Sequence, residues 1–298
     1  MRSSELDRLT ALLGPVRSVH PLAGGYSYET CLLDLPGDRV VVRLGGAAPE
    51  VEAAVLALGR TAVPVPAVRH VLPGEDGVRA AVVLDFVEGT PLGQALDGGH
   101  ELGAEVGEVI ARIGTIPLSR PGFFTGPDLA VAPERPWSAQ LPEFAEQCLG
   151  DTTRLDRVTA AAWLALCREH APALTAVDGV ARLVHADVNP KNLLIAREGG
   201  RWRVRAVLDW EFAHSGCPYG DAANMLRFAR DYPPAFTTGF RDGFGAAQPD
   251  PAWPYLGRVL DMFALTELLT RPPGNPVADQ AAARVRWLAG NPSALETG

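Results

Sequence analysis

Apolar and polar positions along the first ninety residues alternate in short runs broken by turn residues. Strands are predicted near 16–22, 27–35, 39–44, 67–72 and 79–86. Glycine and proline punctuate them: Ala23-Gly24-Gly25, Pro36-Gly37-Asp38 and a Pro-Gly-Glu-Asp-Gly stretch. One helix interrupts the series. It begins at Pro49, a residue suited to the first helical position, and runs to about Arg60 with Val51, Val55 and Leu58 on its buried face. After Glu88-Gly89 the period changes. Helical patterning dominates residues 101–114, 137–149, 156–174, 221–231, 252–271 and 276–289. Short apolar strands near 182–184, 193–196 and 202–208 are the exceptions.

This change of period predicts an α+β protein of two lobes. Residues 1–88 form a small antiparallel-sheet N-lobe with one helix, and residues 89–298 a larger, mainly helical C-lobe. A cleft between them is the expected ligand site. Composition supports ordered cores, since 47% of the 298 residues are hydrophobic. The N-terminus carries charges throughout and no apolar h-region, and no run reaches the length of a membrane span. Four well-separated cysteines, Cys31, Cys148, Cys167 and Cys217, have no metal or redox spacing. Together these features lead to the expectation of a cytoplasmic protein. The net charge of −8 speaks against nucleic acid as a partner and suits a cationic small molecule.

The chemistry concentrates in Leu183-Val-His-Ala-Asp-Val-Asn-Pro-Lys-Asn-Leu-Leu-Ile195 and in Leu208-Asp209-Trp210-Glu211. Asp187 and Asn192 lie five apart in a polar loop between two apolar strands, and Asp209 follows the next strand. These are the pieces of the protein-kinase template, H-x-D-x-x-x-x-N and then an acid after a strand. Phosphoryl transfer demands positioning and charge neutralisation more than covalent chemistry. Asn192 and Asp209 offer the hard oxygens that Mg²⁺ prefers, which leaves Asp187 to accept the proton of an attacking hydroxyl. Lys191, the single lysine among 27 basic residues, sits four after Asp187, not at the two-residue spacing of a phosphate-contacting loop lysine.

With Gly220-Asp221 and Ala223 added, and "LAGGYSYETCLL", "VVVRL" and "EAAVLAL" in the N-lobe, the sequence resembles the aminoglycoside phosphotransferase family over about residues 20–230. That family is a branch of the protein-kinase-like fold. The resemblance implies a bilobal kinase that uses ATP and Mg²⁺. The side chains do not separate ATP from GTP. Gly24, Gly25 and Ser27 would approach the phosphates, although Tyr28 stands where many relatives have asparagine. Arg43 occupies the position of the template's strand lysine. Glu52, four before Leu56, is its expected partner, with Glu50 as competitor. The backbone around Asp85 to Val87 would meet the base, and His185 would orient the loop.

By the same resemblance the acceptor would be a small-molecule hydroxyl, with Glu211, Asp261 and Glu267 as candidate acidic walls. An aminoglycoside or other cationic antibiotic, a metabolic amino sugar or amino alcohol, and a catalytically inactive nucleotide-binding module all stay open.

Overall fold

A computed structural model of the chain describes residues 1–22, 29–46, 48–75, 77–248 and 250–297. Gly24, Gly25, Ser27 and Tyr28, expected at the phosphates, lie outside the described residues.

Helix α1 (Ser3–Leu13) opens the chain and precedes β1 (Ser18–Pro21), β2 (Glu29–Leu35) and β3 (Asp38–Leu44). Helix α2 (Pro49–Gly59) leads to β4 (Val68–Leu72) and β5 (Ala81–Asp85). The five strands form one antiparallel sheet in the order β1-β2-β3-β5-β4. The two-residue side-chain period gives the sheet two apolar faces. Val40, Val42, Leu44, Ala81 and Val83 pack with Leu9 of α1 in a small core. Val82 and Leu84 point the other way and join Val55 and Leu56 of α2 in the main core. Arg43 shares that second face.

The sequence pattern misses two of the longer helices. The first is α1, whose Glu5 is buried and takes both a backbone N–H from Arg2 and the fork of Arg79. The predicted buried face of α2 is also rotated. Glu52, Val55, Leu56 and Gly59 are buried, while Val51 and Leu58 are only partly so. The rotation follows from Gly59, which seats α2 against the Trp210 ring. A Cβ there would stand 2.9 Å from that ring.

Past β6 (Thr90–Pro91) come α3 (Gly99–Ile113), α4 (Trp137–Asp151) and α5 (Arg157–His170). A short hairpin region follows: β7 (Arg182–Val184), β8 (Leu193–Glu198), β9 (Arg201–Val207) and β10 (His214–Gly216). β6-β8-β9 make one small sheet and β7-β10 another. Helices α6 (Tyr219–Leu226), α7 (Pro234–Gly245), α8 (Trp253–Leu268), α9 (Pro276–Gly290) and α10 (Ala294–Thr297) complete the chain. The second missed helix is α7, which packs on α3 with unusual closeness. A Cβ at Gly103 or Gly107 would fall 2.1 or 2.3 Å from a carbonyl oxygen of α7. Gly239 and Gly243 approach α3 in the same way, at 2.1 and 2.2 Å. Among the described residues no helix is long and apolar enough to cross a membrane.

Candidate active site

β7 delivers the chain into the loop at His185-Ala186-Asp187, and one buried carboxylate shapes that loop. Asp221, in the first turn of α6, accepts the N–H groups of His185 (2.9 Å) and Ala186 (2.8 Å). Ala186 is thereby held in the left-handed region, at φ +66°. Burial, partly offset by those two hydrogen bonds, pushes the Asp221 carboxyl up to about 7. His185 is fully buried against Trp210. The Asp187 N–H donates to its Nδ1 at 3.2 Å, so Nε2 carries the proton and donates to Leu208 O at 2.8 Å. Burial lowers the imidazole to about 4, and it stays neutral. His185 thus ties the loop to the end of β9 and is placed as an orienting group.

Two amides hold Asp187. Asn192 Nδ2 donates to its Oδ2 at 2.8 Å and to its backbone oxygen at 2.9 Å. Asn189 Nδ2 donates to its Oδ1 and backbone oxygen, both at 3.1 Å. Burial, and then the charge of Asp209, raise the Asp187 carboxyl to about 6. Lys191 is exposed beside this network and joins it through its backbone N–H, bonded to Asn189 Oδ1.

The Asn192 carbonyl accepts the Leu208 N–H at 2.8 Å, so the two acidic stretches meet across the loop. β9 ends at Val207, one residue before the end that the pattern predicts, and Asp209 lies beyond it at φ +64°. Its Oδ1 takes NH2 of Arg43 at 2.7 Å, while NH1 of Arg43 reaches Glu52 Oε1 at 2.6 Å. Arg43 and Glu52 are both buried, and burial raises the Glu52 carboxyl against the pull of the guanidinium. Glu50 is exposed. The fold therefore brings Arg43, Glu52, Asp209, Asn192 and Asp187 to one cleft.

Asp85 and Val87 sit elsewhere. They line an open groove of about 950 Å³ over the β2–β3 turn. Asp85 pairs there with Arg69 at 2.6 Å, and its N–H is spent on Ala67 O at 2.9 Å. That N–H is not available to a base, and the expected contact around Asp85 to Val87 would fall to the other backbone groups of this segment.

A metal would have few protein ligands. Among the described residues no group of three or more His, Cys, Asp or Glu side chains is arranged to hold one. Asn192 and Asp209 nevertheless fit Mg²⁺, which takes one or two protein oxygens and fills its octahedron from phosphates and water. Asn192 Nδ2 is spent on Asp187, which turns its amide oxygen the other way.

Beside Asp187 opens a second cavity of about 610 Å³, walled by α4, α6, α8 and the segment around β10. Arg227, at the end of α6, lines it, and its charge acts on Asp187. No sequence signal marks this arginine. Trp137 lines this cavity and Trp210 fills the core.

Residues 18–256 match the model of the phosphotransferase enzyme family. No protein of curated function matches the sequence. Among solved structures, a candidate aminoglycoside phosphotransferase from Ralstonia eutropha aligns with TM-score 0.73 at 20% identity, over 99% of this chain and 98% of that one. A thermostable mutant of the aminoglycoside phosphotransferase APH(4)-Ia, in ternary complex with ADP and hygromycin B, aligns with TM-score 0.70 at 20% identity, over 97% and 98%. The GDP complex of wild-type aminoglycoside 2'-phosphotransferase-IIIa aligns with TM-score 0.67 at 14% identity, over 96% and 98%. At such identities the likeness carries the fold, that of the protein-kinase-like phosphotransferases.

Proposed function

Because the chain belongs to the phosphotransferase enzyme family, whose reaction takes an alcohol group as acceptor, we propose that it transfers the γ-phosphoryl group of ATP, with Mg²⁺, to a hydroxyl of a small molecule. The observation that carries this reading is the meeting of Asp187 with the Arg43–Glu52–Asp209 chain in one cleft. On this reading residues 1–88 hold the nucleotide and residues 89–298 the catalytic loop and the acceptor.

Arg43, braced by buried Glu52, presents its planar fork to phosphate oxygens. Asn192 and Asp209 would hold the metal, which when bound neutralises charge on the phosphates. Asp187 faces the acceptor cavity and takes the proton of the attacking hydroxyl, its carboxylate fixed by Asn189 and Asn192. A base held near 6 is ionised at neutral pH and still basic enough to share a proton in the transition state. Gly24, Gly25 and Ser27 would close over the phosphates. The neighbours' nucleotides include both ADP and GDP, so ATP and GTP belong in the same assay. Four buried cysteines, none in a disulfide, support action in the reducing cytoplasm. The hygromycin B in the APH(4)-Ia complex makes a cationic antibiotic, and with it antibiotic resistance, the reference case for the acceptor.

Asp187→Asn keeps the shape of the side chain and removes the base. We expect kcat to fall by ~10²–10⁴-fold with nucleotide KM nearly unchanged, read by nucleotide consumption against a panel of hydroxyl acceptors. A variant that turns over at the wild-type rate sinks the assignment. Tight nucleotide binding by wild type with no turnover on any acceptor would favour a regulatory module.

A further inference from the structure

The cavity beside Asp187 differs from the acidic pocket that Glu211, Asp261 and Glu267 suggest in the sequence. Asp261 is occupied by Arg227, whose Nε and NH2 contact its carboxylate at 2.6 to 3.1 Å, and by Asn224 Nδ2 at 2.9 Å. Glu267 pairs with Arg271, one turn on, at 3.0 Å. Glu211 lines the cavity too and is also engaged. Arg227 and Arg271 place two guanidinium groups in the same lining.

Much of the rest of the wall is apolar, with an aromatic cluster assembled from four separate segments. Phe123 meets Trp137 edge to face, with centroids 5.9 Å apart. Trp137 meets Phe263 at 6.0 Å, and Phe263 meets Phe144 at 5.5 Å. His214 packs on Phe123 and Trp137 at 5.4 and 5.6 Å. Burial lowers its imidazole, so it adds a neutral ring near pH 7. Phe123 is 50% exposed and Phe212 44% exposed, and both lie in this lining. Large apolar side chains left open to solvent in a concave site mark a place where an apolar ligand sits.

Each ammonium group of a polycationic sugar needs a carboxylate or several acceptors when it is desolvated. Here two of the three acids are spent on arginines. Aromatic faces attract a cation by cation–π interaction, but as neutral rings they do not neutralise the several charges of a polycation. A cavity of about 610 Å³ is of the size that takes a drug-sized ligand.

We propose that the acceptor is a bulky, largely apolar alcohol with at most one positive charge, its apolar body on the Phe123–Trp137–Phe263 wall and its hydroxyl toward Asp187. The proposal rests on the phosphotransfer reading of Asp187 for the chemistry, and on the wall alone for binding.

The two are separated by measuring binding and turnover side by side. Octyl β-D-glucoside and phenyl β-D-glucoside serve as apolar alcohols. Methyl β-D-glucoside carries the same hydroxyls without the apolar body, and hygromycin B is the polycation. Titration calorimetry, with a non-hydrolysable ATP analogue present, should show the octyl and phenyl glucosides binding at least tenfold more tightly than the methyl glucoside and hygromycin B. Their binding should carry a negative heat-capacity change, the mark of apolar burial. Phe123→Ser, at a half-exposed position, should weaken octyl glucoside about tenfold and leave nucleotide affinity unchanged.

Binding of the apolar glucosides without phosphorylation by any of them would keep the acceptor class and count against phosphotransfer. Turnover of hygromycin B with kcat/KM above that of the apolar glucosides would overturn the acceptor class and keep phosphotransfer. Equal affinity for octyl and methyl glucosides, or no binding of the octyl and phenyl compounds, would also overturn it.

Discussion

Arg43 reaches two carboxylates at once, Glu52 through NH1 and Asp209 through NH2. A lysine ammonium is a point charge and lacks the fork that spans both. Arg43→Lys should therefore keep one partner and raise nucleotide KM about tenfold, about 1.4 kcal/mol of binding. Glu52→Gln should raise nucleotide KM similarly and lower stability, because it removes a carboxylate that compensates a buried guanidinium. Glu50→Gln, at an exposed position, should change neither. Steady-state kinetics with urea melts of the three variants checks the set, and equal effects at positions 50 and 52 would refute the pairing. Such residues are legible in sequence where their partners are near in the chain: Asp187 and Asn192 lie five apart, and Asn192 Nδ2 donates to Asp187 Oδ2. Arg227 is illegible for the converse reason. Its meaning comes from Asp261, 34 residues on, and from Asp187, 40 residues back, in a chain that writes arginine for nearly all its cations.

Helices α1 and α7 show where element patterns mislead. The α7 stretch, with prolines at its start and three glycines inside, has the composition of a loop, since each glycine weakens an isolated helix by about 1 kcal/mol relative to alanine. Contact offsets that cost. Gly103 and Gly107 of α3 meet Gly239 and Gly243 of α7 closely enough for backbone to touch backbone, a gain that no local pattern reveals. Gly107→Ala adds helix propensity and should still destabilise, by about 3 kcal/mol or more, because its Cβ would lie 2.3 Å from Phe240 O with no flexible side chain to yield. The urea midpoint measures it, and a neutral or stabilising change would show that the helices can part cheaply. Helix α1 hides for another reason. Besides Leu9 in the small core, its hold is ionic, through Glu5, whose carboxyl the Arg79 fork lowers from 4.5 to about 2. A group depressed in the folded state contributes stability above its unfolded value and loses it as pH falls toward the folded one. Glu5→Gln should thus cost about 2–3 kcal/mol at pH 7, and the gap to wild type should narrow from pH 5 downward. A gap that is constant with pH would mean that Glu5 acts by packing alone.

At the scale of the molecule, the sequence divides at a change of period near residue 88, but the main core does not divide there. Val55, Leu56, Val63, Val65, Val82 and Leu84 belong to the same buried cluster as Leu92, Val106, Val207 and Trp210. The end of α2 is pinned by Trp210 against Gly59, and the Val207 N–H donates to Pro64 O at 2.8 Å. α2 carries Glu52, so the seat of that helix on the helical lobe also sets the position of Arg43. Two lobes joined by a thin hinge would melt separately; lobes that share a core should melt together. Calorimetry should then show one transition whose van't Hoff and calorimetric enthalpies agree. For a chain of 298 residues that enthalpy is about 200 kcal/mol near 60 °C. Two resolved transitions, or a van't Hoff enthalpy near half the calorimetric one, would show that the sheet and its helix fold as a separate unit. Gly59→Ala sharpens the test. Its Cβ would press on the Trp210 ring, and if the shared core couples stability to the site, the variant should lower Tm and raise nucleotide KM together. A lowered Tm with unchanged KM would mean that Arg43 is held from the sheet alone.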